Sequence, residues 1–392
     1  MGAVSLPSRK YDPGNNYSLT LSGKEKNLRR PVWVEIDLGA IRYNFRQLKQ
    51  LVAPAHLIPV VKSDAYGHGL IPVSRVLAEE GALFLGVSEL DEALKIKEAG
   101  IKTPLLLISG FEREWLKEIV RGRITPTVSS LKELQILAQE APKTAFHLKV
   151  DTGMGRLGLE GKELDLALEA ILKEGLNLTG LMSHLALSGP EEPFTREQIF
   201  RFKATLKRIR DLGYPLPLAH LANSAGAILY PEARFTAIRP GIAIYGALPH
   251  PACEKVLRLR PAMKVLSRII EIKKVSPGQG VGYGLLFRPQ RPSQIAVVPV
   301  GYDNGYLRTL SGRGWALVRG KRVPVVGSVC MRALFLDVTE VEGVDVGDEV
   351  LLLGSGAEGD IRAESLAEAA GTIAYELFCL LGRLNSKVFI EG

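Results

Sequence analysis

The stretch of the chain most suited to chemistry begins at Lys62, directly after the apolar run Leu57–Val61. That run is typical of a short buried strand, and the glycines that follow Lys62 predict a turn that opens into a helix. In a barrel of parallel strands, catalytic side chains lie at the carboxyl ends of the strands. Burial there lowers the pKa of a lysine and makes its amine a better nucleophile towards an aldehyde. Lys62 is therefore the first candidate catalytic residue, and the alternative is a surface lysine at a strand end.

Other polar residues follow later apolar runs in the same way. Arg156, in a glycine-rich loop, carries a planar fork suited to a carboxylate or a phenolate. His184 and Arg239 each end a predicted strand. Ser224 at a helix start, next to Asn223, could form a phosphate cradle with the backbone N–H groups at Gly241. Taken singly, each has an ordinary structural explanation, such as a core histidine or a helix cap, but their joint position at strand ends favours one site.

The elements that must position these residues alternate between strand and helix. Eight strand candidates with intervening helical patterns indicate a (β/α)₈ TIM-like barrel. The alternative, an open doubly wound sheet, often carries GxGxxG after its first strand, and that motif is absent. The predicted barrel strands are Ile58–Val61, Leu83–Val87, Pro104–Ile108, Ile124–Val128, Ala145–Val150, Thr179–His184, Leu218–Ala222 and Thr236–Arg239.

Beyond Pro261 the pattern changes to short strands separated by Gly, Pro or Asp, which predicts a C-terminal mainly-β domain. An amphipathic segment, Arg362–Leu380, is predicted to be helical and carries Tyr375. We therefore expect a basic extension at residues 1–30, a barrel at 31–262 and a β-domain at 263–392. The predicted strands of the β-domain are Val265–Lys273, Gln294–Val300, Gly314–Arg319, Lys321–Val326, Ala333–Val338 and Glu349–Leu353.

Composition limits the possible partners and the compartment. No apolar run in the 392 residues approaches the roughly 18 needed to cross a bilayer, so no membrane association is expected. Three cysteines without a CxxC spacing indicate neither a disulfide framework nor a metal site, which fits a cytoplasmic protein. Residues 1–30 hold half of the formal charge of +8, with six basic side chains and two acidic ones. The remaining excess is modest, and no nucleic-acid motif is visible, so no nucleic-acid partner is expected.

A lysine that can form an imine, a phosphate cradle and an arginine near a ring nitrogen together indicate pyridoxal 5′-phosphate. With these residues in place, the chain from about Arg30 to its end resembles alanine racemase, a fold-type III pyridoxal-phosphate enzyme. The stretches that carry the resemblance are Val61–Gly69, the loop Lys149–Arg156, Asn223-Ser224, Arg239–Gly246, Val281–Gly284, Val300–Tyr302 and Gly327–Met331.

The resemblance implies roles for individual residues. Lys62 would bind the cofactor and act as one catalytic base, while Tyr283, supplied by the partner's β-domain in a homodimer with shared active sites, would be the second base. Arg156, Met331 and Tyr302 would contact the substrate. Lys149 is similar to a lysine that can be carbamylated in this family. The remaining implied cofactor ligands are Tyr66, Arg156, His184, Asn223, Ser224, Arg239, Gly241, Ile242 and Tyr375.

The resemblance also implies the reaction. An amino-acid racemase must remove the α-proton on one face of the external aldimine and return it on the other, so one base on each face suffices. Lys62 and Tyr283 would serve the two faces, interconverting L-alanine and D-alanine for peptidoglycan. Because a guanidinium holds its proton, Arg239 would leave the pyridine nitrogen unprotonated and restrict delocalisation of the carbanion.

Three departures from the family pattern stand out, of which the first bears on the size or affinity of the substrate and the last on dimer packing. Arg332 replaces an aspartate that commonly follows the methionine, Asp303-Asn304 replaces a small residue and an aspartate, and Asn385–Val388 replaces an Arg-Val-Pro-Arg ending. One alternative is a broad-specificity serine or lysine racemase. A fold-type III decarboxylase is disfavoured, because Arg239 stands in place of the acidic partner of the ring nitrogen and no cysteine-containing strand loop is found. A non-enzymatic binding protein would be favoured only if Lys62 or Tyr283 were missing.

Overall fold

The computed structural model describes residues 31–215, 218–357 and 359–391, and the basic extension predicted at residues 1–30 lies outside them. Within these residues the chain forms a parallel barrel and a mainly-β domain, which confirms the predicted fold class. The first strand, β1 (Val32–Asp37), runs directly into the helix α1 (Leu38–Val52). Asp37 caps that helix by accepting the N–H of Ala40 at 2.9 Å.

Eight of the described strands form one parallel sheet, and most of their residues are buried. Backbone hydrogen bonds close this sheet into a barrel. The N–H of Val61 donates to the carbonyl of Gly86 at 2.8 Å, and the N–H of Gly86 donates to that of Pro59 at 2.9 Å. The barrel strands are β2 (His56–Leu57), β3 (Leu85–Val87), β4 (Leu105–Leu107), β5 (Thr125–Val128), β6 (Phe146–Lys149), β7 (Leu178–Met182), β8 (Leu218–His220) and β9 (Ala237–Ile238).

Helices alternate with these strands, as the sequence pattern predicts. They are α2 (Lys62–Tyr66), α3 (Leu70–Glu79), α4 (Leu90–Glu98), α5 (Leu116–Gly122), α6 (Leu131–Glu140), α7 (Gly161–Glu174), α8 (Pro193–Asp211) and α9 (Ser224–Leu229). The carboxyl ends of the barrel strands therefore meet at one mouth, where the loops that lead into these helices begin.

The second domain consists mainly of antiparallel strands. They are β10 (Met263–Arg268), β11 (Glu271–Val275), β12 (Ser293–Val298), β13 (Trp315–Val318), β14 (Lys321–Val326), β15 (Leu334–Asp337), β16 (Glu349–Gly356), β17 (Gly359–Ile361) and β18 (Ser386–Ile390), with the helices α10 (Ala363–Ala370) and α11 (Ala374–Leu384) before the last strand. β1 also belongs to this sheet, antiparallel to β10 and parallel to β18. The boundaries 31–262 and 263–392 stay a prediction, since this pairing ties the first strand to the C-terminal ones.

Two elements that the sequence presents as continuous are divided. The predicted strand Val265–Lys273 becomes β10 and β11, because the chain leaves one part of the sheet and joins another at Ile269 and Ile270. Their N–H groups donate to the carbonyls of Asp348 and Val297, beside β16 and in β12.

The predicted helix Arg362–Leu380 is divided into α10 and α11 at Gly371, whose φ of 73° ends the first helix in the left-handed region. The axes of the two helices differ by 101°. Among the described residues, no single helix is long and apolar enough to cross a membrane, and this bent pair meets the criterion by length and composition only.

Candidate active site

A cavity of about 520 Å³ opens at the carboxyl ends of the barrel strands, which is a typical size for a cofactor site. Ten of the residues predicted from the sequence line it: Lys62, Tyr66, Lys149, Arg156, His184, Asn223, Ser224, Arg239, Gly241 and Tyr375. Four of the ten are basic, and no Asp or Glu of the described residues is among the lining. The cavity is therefore suited to an anionic ligand. A second cavity of about 530 Å³, near Arg258 and Arg362, contains none of the predicted site residues.

Lys62 opens the turn α2, which is left-handed. Its next four residues, from Ser63 to Tyr66, have φ angles between 53° and 58°, although each such residue costs about 1–2 kcal/mol. The turn is held by its own Asp64 side chain, which contacts residues outside it. Asp64 accepts the N–H of Leu70 at 2.7 Å and pairs with the Lys387 ammonium at 2.9 Å.

Glycines let the backbone of α11 approach the same turn. A Cβ on Gly67 would lie 2.2 Å from the carbonyl oxygen of Phe378, and one on Gly382 would lie 2.1 Å from that of Gly67. Burial and the Arg156 guanidinium lower the pKa of Lys62, which increases the fraction of neutral amine at this position. The sequence predicted an ordinary turn here, because neither propensity nor spacing indicates a left-handed run of non-glycine residues.

Arg239 is buried and held by both of its terminal nitrogens. Nη1 donates to Nδ1 of His220 at 2.8 Å and to its carbonyl at 2.6 Å, while Nη2 lies 2.5 Å from the carbonyl of Ser183 and 3.1 Å from Nδ1 of His184. Burial, with Arg156 nearby, lowers the pKa of Arg239 to about 9, so the side chain stays charged at neutral pH. Within the described residues the Nε–H has no acceptor, and it is available to a ligand in the cavity.

A further histidine, which the sequence reasoning missed, continues this chain of contacts. Nδ1 of His147 lies 2.8 Å from Nε2 of His220, and both rings are fully buried. His147 lies in β6 among apolar residues, where the pattern predicted only a strand. A signal that could have found it is its position two residues before Lys149 in a parallel strand, since alternate residues share a face.

Hydroxyl and backbone donors gather at the end of the cavity near β9. The N–H of Gly241 donates to the hydroxyl of Ser224 at 3.0 Å, and a Cβ on Gly241 would lie 2.4 Å from the Tyr66 hydroxyl. Burial raises the pKa of Tyr375 to about 12, so its hydroxyl remains a donor. Ile242, in contrast, has a buried side chain outside the cavity lining. Asn223 lines the cavity but also caps α9 by accepting the N–H of Gly226 at 2.9 Å.

The loop that carries Arg156 is organised by one carboxylate. Asp151 accepts backbone N–H groups from four consecutive residues, Gly153 to Arg156, at 2.7 to 3.2 Å. Burial opposes ionisation of Asp151, but these four donors outweigh it, and the pKa of the carboxyl is lowered. Lys149, at the base of the same loop, is buried, and desolvation together with Arg239 and Arg156 lowers its pKa to about 8.

Besides Ile242, three predicted site residues do not line this cavity. Tyr283, Tyr302 and Met331 are 76%, 43% and 57% exposed and lie together on the β-domain. The hydroxyl of Ser328 donates to the carbonyl of Tyr283 at 2.9 Å, and the N–H of Tyr302 donates to that of Cys330 at 3.1 Å. The segment 328–331 thus connects the three residues, whose large side chains the barrel of the same chain does not cover.

The departures from the family pattern contact one another in pairs. Arg332 Nε donates to Asp303 at 2.6 Å, directly beside Met331 and Tyr302. The side-chain amide of Asn385 donates to the Asn304 carbonyl at 2.8 Å and accepts from the Asn304 side chain at 3.2 Å. Arg332 and Asn385 therefore each contact another departure from the pattern, which explains how these two pairs can be accommodated.

Comparisons with known proteins agree with this geometry. Residues 36–249 match the family described as "Alanine racemase, N-terminal domain", and residues 262–389 match "Alanine racemase, C-terminal domain". An alanine racemase of Syntrophobacter fumaroxidans is 41% identical over 367 residues, which cover 92% of this chain and 98% of that protein.

Solved structures also resemble the fold of this chain. The alanine racemase of a D-cycloserine-producing Streptomyces lavendulae has a TM-score of 0.87 and 33% identity, covering 93% of this chain and 98% of that one. The alanine racemase of Bartonella henselae, solved with covalently bound pyridoxal phosphate, has a TM-score of 0.82 and 29% identity, covering 92% of this chain and all of that one.

Proposed function

Because the chain belongs to the alanine racemase family, it is an isomerase that interconverts L-alanine and D-alanine, and we propose that it does so with pyridoxal 5′-phosphate held in the barrel cavity. The observation that supports this cofactor most directly is the convergence of ten predicted residues on that cavity. We further propose that Lys62 and the partner's Tyr283 are the two bases, and that the D-alanine supplies peptidoglycan.

The residues present fit the proposed cofactor at both of its ends. Arg239 offers an Nε–H that has no acceptor among the described residues, which suits an unprotonated ring nitrogen. Tyr66, Ser224 and Gly241 bring hydroxyl and backbone donors together, which suits a phosphate. Lys62, with its lowered pKa, suits an aldehyde.

In the proposed mechanism each residue has a separate task. When bound, the cofactor supplies an electron-withdrawing ring that stabilises negative charge at the α-carbon. Lys62 Nζ moves the α-proton on one face, and the phenol oxygen of Tyr283 moves it on the other. Arg156 holds the substrate carboxylate through its planar fork, with Met331 and Tyr302 bordering the same space. Arg239 keeps its proton, which disfavours side reactions that need a protonated ring.

We propose a homodimer with shared sites because Tyr283, Tyr302 and Met331 are exposed on the β-domain. In this arrangement the barrel and Tyr375 of one subunit, together with Tyr283, Tyr302 and Met331 of the other, build each site. Mixing the inactive variants Lys62→Ala and Tyr283→Ala after reversible dissociation should regenerate activity at about a quarter of the sites, because heterodimers carry one intact site each. No recovery despite demonstrated subunit exchange would contradict shared sites.

Carbamylation of Lys149 is a further part of this proposal. Its pKa of about 8 leaves neutral amine at physiological pH, and this amine can add carbon dioxide to give a carbamate anion and a proton. The anion would pair with Arg156, which lies close enough to depress the pKa of Lys149. Carbon-13 NMR with labelled bicarbonate should show one carbamate signal that Lys149→Arg removes. A wild-type carbamate signal no stronger than that of Lys149→Arg would contradict carbamylation of Lys149.

The proposed substrate and compartment are tested separately. The cofactor-loaded protein should convert L-alanine far faster than L-serine, L-lysine or L-glutamate in chirally resolved product analysis. Comparable rates for the longer side chains would instead favour a broad-specificity racemase, and release of carbon dioxide would favour a decarboxylase. We propose a cytoplasmic location, which the three free cysteines support and cell fractionation would test.

A further inference from the structure

Behind the cavity, three buried polar side chains from different strands form a continuous chain of contacts. Arg239, just after β9, contacts His220 in β8, and His220 contacts His147 in β6, with both nitrogen–nitrogen distances at 2.8 Å. All three side chains are at most 3% exposed. Of these, only Arg239 lines the cavity.

The chemistry of the arginine determines where the protons lie on the two rings. A guanidinium only donates, so Nδ1 of His220 must be the unprotonated nitrogen. Burial and the Arg239 charge lower the pKa of both histidines, to about 3 for His147, and both rings are neutral at pH 7. His220 therefore carries its proton on Nε2 and donates it to Nδ1 of His147.

The barrel leaves room for this contact across an intervening strand. His147 and His220 lie on β6 and β8, and Gly180 of β7 is the direct partner of His147 between them. A Cβ on Gly180 would lie 2.3 Å from Cγ and Cδ2 of the His147 ring. The His147 ring therefore occupies the space beside Gly180 that the side chain of any other residue at position 180 would need.

We propose that His147 is a positioning residue for the reaction. By accepting the Nε2–H of His220, it holds His220 in the tautomer whose Nδ1 accepts from Arg239. Arg239 then keeps Nη1 engaged and its Nε–H available to the cavity. Without His147, the buried Nε2–H loses its acceptor, and the other tautomer would set two N–H groups against each other. The expected effect on catalysis rests on the proposed role of Arg239 at the cofactor ring. The assignment of the His220 tautomer does not depend on that role.

The test combines spectroscopy of the cofactor-free protein with kinetics of the loaded enzyme. The chain has six histidines, so selective ¹⁵N labelling gives a spectrum simple enough to assign. We expect His220 to show a protonated Nε2 and an unprotonated Nδ1. His147→Leu should disturb this pattern and lower kcat about 10- to 100-fold, with a smaller change in KM for alanine. His147→Asn should restore both, because its amide oxygen can accept near the position of Nδ1.

Gly180→Ala provides an independent perturbation that leaves all three side chains unchanged. Its methyl group must displace the His147 ring, and we expect the same change in the His220 signals and in kcat. The matched control is Gly86→Ala in β3 of the same barrel, where the nearest atom to the new Cβ would be 3.5 Å away.

A protonated Nδ1 on His220 in the wild type would overturn the proposal, as would unchanged His220 signals in His147→Leu. If His147→Leu does not fold, equal behaviour of Gly180→Ala and Gly86→Ala overturns it instead. Failure of the wild type to bind pyridoxal 5′-phosphate would refute the proposed cofactor but leave the histidine signals as they are, so the two failures are distinguishable.

Discussion

Replacement of Asp151 by asparagine should uncouple the Arg156 loop from the barrel without unfolding it. Oδ1 of Asp151 accepts the N–H groups of Gly153 and Met154 at 2.8 and 2.7 Å, and Oδ2 accepts those of Gly155 and Arg156 at 2.8 and 3.2 Å. In Asp151→Asn one of these oxygens becomes an amide that cannot accept. Two of the four donors then lose their partner, and the negative charge disappears.

The size of the effect follows from this count. Each lost bond is worth about 0.5–1.5 kcal/mol, and because Gly155 and Arg156 are exposed, water recovers part of it. With the lost charge included, the loop arrangement is destabilised by roughly 2–3 kcal/mol. If Arg156 must be in place for the reaction, kcat/KM for L-alanine falls by about 30- to 150-fold.

Steady-state racemisation of L-alanine measures this directly, with thermal unfolding as the companion measurement. We expect the unfolding midpoint to stay within a few degrees of the wild type, since the loop lies outside the core. The matched control is Asp165→Asn, which removes an exposed ion pair with Arg208 and should change kcat/KM by less than about twofold. A loss of less than about threefold for Asp151→Asn would refute the role assigned to the carboxylate.

Three further results are expected. Gly241→Ala should weaken pyridoxal-phosphate binding at least about tenfold in a fluorescence titration, because its Cβ would lie 2.4 Å from the Tyr66 hydroxyl; unchanged affinity would argue against the proposed phosphate position. Burial lowers the pKa of His68 to about 3, so its stabilising contribution is complete above pH 6.5 and is lost as the pH falls towards 3, by roughly 2 kcal/mol at pH 5. Denaturant unfolding at pH 7 and 5 should show a smaller loss for His68→Gln than for the wild type, and equal losses would contradict this. Arg332→Asp should place two carboxylates together, lower stability by about 0.5–1 kcal/mol and be rescued by Asp303→Arg; additive effects would show that the pair is uncoupled.

The residues around the cavity could be predicted because the sequence marks the ends of the strands and the fold brings those ends together. An apolar run followed by a polar residue identifies a strand end, and parallel strands bring all such ends to one mouth. Lys62, Arg156 and His184 were found in this way and lie together in the structure. The class of fold follows from the same alternation of elements.

What could not be predicted depends on distant contacts. The left-handed geometry after Lys62 requires Lys387 and the backbone of α11, which no local pattern can indicate. His147 is embedded in a strand that reads as ordinary core, and only its distance to His220 gives it a role. Likewise, nothing local to Val265–Lys273 shows that the chain changes its pairing partner at Ile269.

The left-handed turn also has a consequence for biosynthesis. As the chain leaves the ribosome, the barrel segments become available first, but the groups that brace the turn, Gly382 and Lys387, are translated 320 and 325 residues after Lys62. We expect nascent or prematurely terminated barrels to leave Lys62 without its native orientation. Such incomplete chains would lack a preorganised amine for the reactive aldehydes of the cell, and Lys62 would gain its native orientation only after α11 and β18 have been synthesised.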